Sequence, residues 1–464
     1  MDIEKMKLEI SSSVEFGDLR LNHRFSEVIG DLTSNLGSGS IPSVLHERKK
    51  IKGYYRFINN KKVSNFLLLE GLSGYVSSLT RRLSDSSVVL AIQDTTELDF
   101  TGKRSSGNLG VLEYAHRHGI YLHNHLLVSG SGVPLGLFSQ KFHHRKAEDL
   151  GKSRAKRYAP VEEKESYKWV EEFNHLQDTF ATDRHLEIIS VCDREADMYE
   201  MLCARKYSHI HLIIRSQYNR VCLNETGEKG GYLWDEVGST DACFCYSIEI
   251  EGVNRKKRTA HLEVRYRKVT LRPPSRKGLK LPVQDIWVLE VKEVNPPKEV
   301  SDPLCWQILT TIPIENAQIA QKIIYYYTLR WIIERFHYIL KQCLHVEKLQ
   351  VEEEQPLQNA IILQSWVAVQ IANLDYLNKK TPQASLSQTT FSKEDYDLAY
   401  KYATKVLNFK ALHSPNPTVN DFVIIIAKIA GHQLQKNKAI GAPSLIRGIK
   451  AFLIIKETAI KMSQ

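Results

Sequence analysis

The stretch YYYTLRWIIERFHYILKQ, from Tyr325 to Gln342, decides how the rest of the chain is interpreted. Four polar side chains recur along it at relative positions 0, 3, 7 and 14: Tyr327, Arg330, Glu334 and Lys341. At about 100° per residue, an unbroken helix places all four within roughly 60° of one face. Such a stripe is either a solvated edge with an i,i+4 ion pair between Arg330 and Glu334, or part of a functional site.

The chain has 464 residues, a net charge of +10 and a pI near 9.0. At about 150 residues per domain, this length predicts roughly two to four domains. The segment from Arg255 to Lys280 carries eleven Lys or Arg residues against the single acid Glu263, an excess equal to the net charge of the chain. This excess favours an anionic partner such as nucleic acid, although a solvated hairpin with a basic loop is the simpler alternative.

Seven cysteines without a regular spacing indicate reduced thiols. The N-terminus MDIEKMKLEI lacks the apolar core of a signal peptide, and no apolar run has the length of a membrane span. We therefore expect a soluble, cytoplasmic protein. The absence of a Walker-type loop and of G-x-G-x-x-G excludes the common nucleotide-binding sites. Four clustered histidines lack the ligand count of a zinc site and are interpreted as packing or solvent residues: His116, His118, His123 and His125.

Residues 1–70 show the periodicity of helices and contain the basic, aromatic segment HERKKIKGYYRFINNKK (46–62). Cations interleaved with aromatic residues suit a small helical DNA-binding module. Its candidate phosphate or base contacts are Arg20, Arg24, Arg48, Lys49, Lys50 and Arg56. A plain helical cap with a solvated face explains the same pattern, and the sequence leaves both interpretations open.

Apolar runs typical of buried strands begin at residue 87. SVVLAIQDTTELDF contains Asp94 at the end of its apolar part, and LEIISVCDREAD ends its apolar part at Asp193. A predicted hairpin (119–143) lies between these strands in the sequence. The segment HIHLIIRS predicts a further strand, which ends at Arg215. Residues 216–300 alternate like an antiparallel sheet, and the chain after about residue 350 is mostly helical in pattern.

Two aspartates at the ends of separate buried strands indicate a site, because a buried carboxylate without a partner or cation is costly. Glu334 completes an oxygen-ligand set for hard divalent cations. Four other acids compete for the same role but lie beyond the predicted strand ends, where we interpret them as turn, capping or surface residues: Glu97, Asp99, Glu195 and Asp197.

Taken together, QDTTELDF, VCDREADMYE and the Y-x2-R-x3-E-x6-K stretch resemble motifs of one enzyme family. They resemble the bacterial cut-and-paste DDE transposases with the YREK signature, insertion-sequence transposases whose best-known member mobilises a kanamycin-resistance composite transposon. GDLRLNHR, GYYRFINN and NPPKEVSDPLCWQILTT match in the same order. The resemblance covers nearly the whole chain and is weakest in 216–290 and 380–415.

The resemblance implies an α/β fold, with a ribonuclease-H-like catalytic core interrupted by an antiparallel β-subdomain and flanked by all-α N- and C-terminal domains. The implied boundaries are 1–70 for the DNA-binding domain, 71–364 for the catalytic domain with its insertion at about 216–300, and 365–464 for a dimerisation domain.

The resemblance also implies residue roles. Asp94, Asp193 and Glu334 match the catalytic triad, whose carboxylates bind two Mg²⁺ ions that Mn²⁺ can replace. The implied DNA contacts are Tyr327, Arg330 and Lys341 on phosphates, Trp306 on a flipped base, Arg215 near the DNA, and Arg20 and Arg24 on the transposon end. The basic, aromatic segment adds Arg56 to these predicted contacts. The chain departs from the family at Arg335, where family members carry an acid.

The function implied is a DNA transposase that binds terminal inverted repeats as a homodimer in a synaptic complex. It would cleave the ends by two-metal phosphoryl transfer through a hairpin intermediate and join them to target DNA, without a nucleotide cofactor or a membrane. The expected location is the bacterial cytoplasm, in association with DNA. Three alternatives stay open: a ribonuclease-H-like nuclease, a catalytically idle domesticated DNA-binding protein, and a tyrosine recombinase with its nucleophile among Tyr325–Tyr327.

Overall fold

The structure is a computed structural model that describes residues 3–36, 41–84, 87–103, 109–151, 160–251, 257–275, 280–433 and 440–462. Four cations of the basic segment lie outside the described residues: Arg255, Lys256, Arg276 and Lys277. The chain packs into two compact units. Unit 1 comprises Met1–Leu83, Thr95–Gly151 and Ile332–Gln464, and unit 2 comprises Ser84–Asp94 and Lys152–Trp331. The predicted domains are consecutive ranges of the sequence, whereas each of these units combines separate segments, so the domain boundaries stay predictions.

The described residues form helices and strands in both units. The helices are α1 (Ile3–Ser12), α2 (Leu19–Ser34), α3 (Ile41–Leu45), α4 (Arg48–Ile58), α5 (Asn65–Arg81), α6 (Tyr167–Thr179), α7 (Tyr199–Cys203), α8 (Leu233–Gly238), α9 (Ala317–Thr328), α10 (Trp331–Tyr338), α11 (Glu354–Lys380), α12 (Lys393–Lys405), α13 (Val419–Ile429) and α14 (Ala442–Met462). The strands are β1 (Ser87–Asp99), β2 (Gly110–Val111), β3 (His118–Ser129), β4 (Pro134–His143), β5 (Leu186–Cys192), β6 (Ile210–Arg215), β7 (Val221–Leu223), β8 (Lys229–Tyr232), β9 (Phe244–Glu251), β10 (Lys257–Leu271), β11 (Gln284–Val294) and β12 (Cys305–Thr310). The predicted α/β class is confirmed.

Unit 2 is built on a mixed sheet. The first residues of β1 pair in parallel with β5, and β5 pairs in parallel with β6. Antiparallel pairs then join β6 to β12, β12 to β11, and β11 to β10. The residues Val89–Ile92 are fully buried, as their apolar run predicts for a strand covered on both faces. Buried Gln93 on β1 donates a hydrogen bond to Ser190 on β5.

The antiparallel β-subdomain predicted for residues 216–300 is present, and most of the described part of its basic segment is a strand. Residues 257–271 form strand β10, which pairs with β9 and β11. Four of its cations form ion pairs with acids of the same unit: Arg258 with Glu293, Arg265 with Glu263, Arg267 with Glu236, and Lys268 with Asp285. Much of the local excess of positive charge is therefore neutralised within the fold.

In unit 1, the N-terminal helices form a small aromatic core. Phe16, Phe25 and Phe57 lie with their ring centroids 5.6 to 5.9 Å apart. Asp18 caps α2 by accepting a hydrogen bond from the backbone N–H of Arg20, which fixes where this helix begins. These contacts confirm the helical N-terminal region.

Helix α11 is the central helix of unit 1 and packs against α2, α4, α5, β4, α13 and α14. Trp366 donates its indole N–H to Thr33 on α2, and Asn359 donates to the carbonyl oxygens of Ile58 and Val63. By length and composition alone this helix could cross a membrane, but 83% of its apolar window is buried inside the protein. That burial is the pattern of a core helix.

Residues Tyr325–Gln342 do not form the single unbroken helix on which a common face for the four polar residues depends. Helix α9 ends at Thr328, whose hydroxyl donates to the carbonyl of Tyr325, and the N–H of Arg330 bonds to Tyr327, three residues back. This tightened turn ends α9 before α10 begins at Trp331. A π-helical turn over Ile339–Cys343 then follows α10. The four polar residues therefore do not keep the spacing of one regular α-helix.

Candidate active site and nucleic-acid interface

Asp94 and Asp193 lie at the same level of the sheet in unit 2. Ile92 is paired with Val191 across the parallel strands β1 and β5, and each aspartate follows two residues later. Because side chains alternate along a strand, in-register residues of parallel neighbours leave the same face of the sheet. Asp94 is not at a strand end as predicted, because the burial ends at Gln93 while β1 continues to Asp99. Asp193 directly follows the end of β5 at Cys192 and accepts a hydrogen bond from the backbone N–H of Glu195.

Arg330 supplies a positive charge beside these carboxylates. Its guanidinium lies 3.5 Å from a carboxylate oxygen of Asp94, with side chains 17% and 15% exposed. The charges of both aspartates and of Arg330 act on the pKa of the Cys192 thiol, next to Asp193. Burial raises the pKa of this thiol to about 12, the charges of Asp193 and Asp94 raise it as well, and Arg330 opposes them. The two aspartates and Arg330 therefore form one electrostatic group.

Tyr327, Arg215 and Trp306 extend this group. Tyr327 is 6% exposed, and its ring meets the ring of Trp306 edge-on with centroids 5.7 Å apart. Burial raises the pKa of the Tyr327 phenol, while the charges of Arg215 and Arg330 and a hydrogen bond with Arg215 oppose the shift. Arg215 also donates to the carbonyl of Cys305, the residue before Trp306.

We call this unit 2 group the acid-arginine cluster. Its members are Asp94, Asp193, Arg215, Trp306, Tyr327 and Arg330. Every one of these residues was predicted from the sequence, and the structure brings all six together although the predicted helix is broken.

Glu334 and Lys341 lie in unit 1, so their relation to the acid-arginine cluster stays a prediction. Glu334 is in the first turn of α10. Lys341 lies in the π-helical turn, where its ammonium donates to the carbonyl of Glu97 at 2.6 Å and lies 3.5 Å from Glu347. The partners of Lys341 within unit 1 are thus an acid and a backbone carbonyl.

The side chains of Asp94 and Asp193 offer the oxygen ligands that Mg²⁺ prefers, so the donor chemistry fits the predicted ion. Within the described ranges, no group of three or more His, Cys, Asp or Glu side chains is arranged to hold a metal ion. Asp94 also has Arg330 as a partner, and this ion pair would have to loosen before the carboxylate bound a cation. Mg²⁺ binding by the triad therefore stays a prediction.

Three of the four competing acids have arginine partners. Arg117 pairs with Asp99 at 3.0 Å and with Glu97 at 3.4 Å in unit 1. Asp197 is not a surface residue, because its carboxylate is fully buried 2.6 Å from Arg220. It also accepts hydrogen bonds from two backbone N–H groups, those of Gln217 and Tyr218. Sequence reasoning missed this anchor, since nothing in the local pattern links position 197 to position 220.

Arg335, the position at which the chain departs from the family pattern, forms an ion pair. Its guanidinium pairs with the buried carboxylate of Asp375 on α11 at 2.9 Å, and Lys379 pairs with the same carboxylate at 2.8 Å. The positive charge at position 335 therefore joins α10 to α11 within unit 1.

A basic surface lies on the exposed face of α4, beside the contact of α4 with α2. Lys49, Lys52 and Arg56 are exposed and recur at helical spacing. Arg24 is exposed on α2 and lies against Gly53 of α4. The position that a Cβ atom would take at Gly53 is 2.9 Å from a guanidinium nitrogen of Arg24. In the part of the chain that the structure describes, none of these four cations pairs with a carboxylate. Arg20 is 91% exposed and pairs with its neighbour Asp18.

Comparisons with known proteins bear on this region. The solved structure of the piggyBac transposase synaptic complex with hairpin DNA is similar with a TM-score of 0.35 and 9% identity, over 99% of this chain and 78% of that chain. A similarity at that score is too low to carry conclusions about fold or activity. Residues 8–63, by contrast, match the family model described as transposase DNA-binding. This match favours DNA binding over a plain helical cap and supports the prediction that the chain is a DNA transposase.

Proposed function

We propose that the chain is a bacterial DDE transposase that binds the terminal inverted repeats of a transposon, cleaves its ends and joins them to target DNA. The observation that carries the proposal is the placement of Asp94 and Asp193 at one level of neighbouring parallel strands, with Arg330 beside them. The DNA-binding family match at residues 8–63 supplies the second requirement, a means of holding DNA.

The proposed chemistry is metal-dependent phosphoryl transfer. Asp94, Asp193 and Glu334 would hold two divalent cations, Mg²⁺ or Mn²⁺. When bound, such ions activate an attacking water or 3′-hydroxyl and stabilise the leaving oxygen. The connectivity of β1, the hairpin β3–β4, and the parallel strands β5 and β6 supports a ribonuclease-H-like core.

The cationic members of the acid-arginine cluster have a binding role in this proposal. Arg330 and Arg215 would receive phosphate oxygens of the cleaved end, since a guanidinium binds phosphate through two parallel hydrogen bonds. Tyr327 holds Arg215 through a hydrogen bond and so orients it. Without DNA, Arg330 offsets the charge of Asp94, which reduces the cost of keeping the carboxylate ionised in a largely buried place.

Trp306 is proposed to stack on a base that flips out when a hairpin forms. Its indole is partly exposed and meets the buried ring of Tyr327 edge-on, which restricts its motion. Stacking of one base on an aromatic ring contributes roughly 1–3 kcal/mol, enough to offset much of the cost of unstacking. We further propose that the helices of 365–464 form the dimer contact of a synaptic complex.

The alternatives make different predictions. A tyrosine recombinase would form a covalent protein–DNA adduct, and the proposed transposase would not. Among its candidate nucleophiles Tyr327 is 6% exposed, whereas Tyr325 is 43% exposed, so an assay for the adduct separates the two functions. A ribonuclease-H-like nuclease would cut RNA or junctions without regard to terminal repeats. An idle DNA-binding protein would bind the repeats and cut nothing.

The test is incubation of the purified chain with its candidate terminal inverted repeats and Mg²⁺ or Mn²⁺, with nicked, hairpin and strand-transfer products separated on denaturing gels. D94A, D193A and E334A are expected to abolish cleavage and to leave binding of the repeats intact. The matched control is D178A, which removes a carboxylate of unit 2 that is 63% exposed and pairs with Lys206 at the surface.

Cleavage by D178A alone among these variants supports the proposal. Retained cleavage in D94A, D193A or E334A contradicts the role of that residue. Repeat-specific binding without cleavage by the native chain leaves the idle DNA-binding protein as the better description, and cleavage of RNA duplexes at a similar rate favours the nuclease.

A further inference from the structure

A buried chain of hydrogen bonds connects the hairpin of unit 1 to the helix that carries Glu334. Asn124 on β3 and Gln140 on β4 are paired across the hairpin, and the amide N–H of Gln140 donates to the amide oxygen of Asn124 at 2.6 Å. The amide nitrogen of Asn124 lies 2.9 Å from Nε2 of His337 on α10. Gln140 also donates to the hydroxyl of Ser365 on α11 at 2.8 Å.

The direction of these hydrogen bonds is fixed by a backbone carbonyl. The same amide nitrogen of Asn124 contacts the carbonyl oxygen of Leu122 at 3.2 Å, and a carbonyl oxygen can only accept. Asn124 therefore presents its NH₂ group to both partners, and Nε2 of His337 must accept. Asn124 is fully buried and His337 is 8% exposed, so loss of this acceptor leaves a buried N–H group without that partner.

The chain ends one helical turn from the predicted third carboxylate. His337 follows Glu334 by three residues on α10, so both side chains lie on one side of the helix. Arg335, between them, pairs with Asp375 on α11. Helix α10 has eight residues, too few to hold its orientation without such tertiary contacts.

We propose that Asn124 is a positioning residue for Glu334 and acts through His337. Asn124 selects the neutral ring of His337 with Nε2 as acceptor, and this bond fixes the rotation of α10 about its axis and hence the direction of the Glu334 carboxylate. The inference rests on the proposed function for its catalytic consequence, but the anchoring of α10 can be measured without any cleavage.

The test compares H337Q with H337F and N124L in the full chain. The amide oxygen of a glutamine can accept from Asn124, whereas phenylalanine offers no acceptor and leucine at position 124 offers no donor. T33V is the matched control, because it removes another buried side-chain hydrogen bond of unit 1, the one from Trp366, at a site on α2. Two measurements are made on each variant: single-turnover cleavage of repeat DNA with its binding constant, and amide hydrogen exchange over residues 331–338.

We expect H337F and N124L to lower the cleavage rate by about 100-fold at unchanged DNA affinity, since small displacements of a catalytic group have effects of that size. H337Q is expected to stay within about threefold of the native rate, and T33V to match it. Hydrogen exchange over α10 should rise in H337F and N124L and stay at the native level in H337Q and T33V.

Equal cleavage by H337F and H337Q overturns the positioning role. Native exchange over α10 in H337F and N124L overturns the anchor itself. If the native chain cuts no DNA while H337F still loosens α10 selectively, the proposed function fails and the anchor stands.

Discussion

The guanidinium of Arg330 lies 3.5 Å from a carboxylate oxygen of Asp94, at the joint between α9 and α10. The same arginine acts on the phenol of Tyr327 and on the thiol of Cys192, beside Asp193. One cation thus interacts with three neighbours in unit 2. In the proposed reaction it exchanges a carboxylate partner for a phosphate, which makes it the residue most directly open to test.

Replacement of Arg330 should impair cleavage more than DNA binding. R330A is expected to slow single-turnover cleavage by about 100-fold, because one charged donor at a reacting phosphate contributes about 3 kcal/mol. R330K should retain part of the rate, since an ammonium keeps the charge without the two-pronged geometry. R184A, at an exposed arginine of the same unit, serves as the control. Native rates in R330A would exclude a phosphate contact at this position.

The second prediction separates the steps of cleavage at Trp306. W306A should permit nicking of the first strand and reduce hairpin formation, because the flipped base loses its stacking partner and roughly 1–3 kcal/mol. W306F should recover most hairpin product. Both products are resolved on denaturing gels.

Trp287 on the neighbouring strand β11 provides the control for this experiment. It is also partly exposed and lies 6.3 Å from the ring of Tyr266, so W287A removes an indole of similar surroundings. Equal loss of nicking and hairpin product in W306A would refute the stacking role.

The third prediction concerns the basic surface of α2 and α4. R24A should weaken binding of terminal-repeat DNA and lower the slope of log affinity against log salt by about 0.9, the value for one phosphate contact. K52A should act similarly, since Lys52 lies on the same face. K401A, at an exposed lysine of α12, should leave the slope unchanged. An unchanged slope in R24A would place the DNA on another surface.

The fourth prediction is a pH dependence of stability from His211 on β6. Burial lowers the pKa of His211 to about 4, and the charge of Arg205 contributes. The unfolded chain, with a His pKa near 6.5, therefore binds more protons than the folded chain between about pH 6.5 and 4. The contribution of His211 to the free energy of unfolding is complete above pH 6.5 and is lost as the pH falls toward 4.

Urea unfolding at pH 7.5 and pH 5.0 measures this effect. H211Q should lose less stability than the native chain between the two pH values, because glutamine takes up no proton. H175Q removes an exposed histidine of the same unit and should behave like the native chain. A native-sized loss in H211Q would assign the acid sensitivity to other groups.

Much of the candidate site could be predicted because its signals are local. The apolar runs before Asp94 and Asp193 predict buried strands, and the alignment of parallel neighbours brings the two aspartates to one level. The sequence leaves a joint at Thr328 open but cannot decide it, since the stretch 325–342 contains neither Gly nor Pro and the break depends on backbone bonding near Thr328. The burial of Asp197 was missed because its partner Arg220 is distant in sequence.

The charge of the β-subdomain shows a second limit of sequence reasoning. Eleven cations in one segment favour an anionic partner, yet residues 257–271 form strand β10, where three of the cations pair with acids of α8 and β11. A sum of charges along the sequence cannot show which acids are neighbours across a sheet. Among the predicted N-terminal cations, Lys49 and Arg56 are exposed on one face of α4, whereas Lys50 pairs with Asp31, and their contacts with DNA stay predictions.

The packing of α11 against the N-terminal helices has a consequence for synthesis on the ribosome. Asn359 bonds to the carbonyl of Ile58, which precedes it by 301 residues. At about 5–20 residues per second, the N-terminal helices leave the ribosome roughly 15–60 s before their partner helix is made. During that interval the apolar surface that α11 covers in the folded protein stays exposed, and we expect this to make the nascent chain prone to aggregation. A message truncated before codon 354 yields a protein whose DNA-binding segment never completes its core.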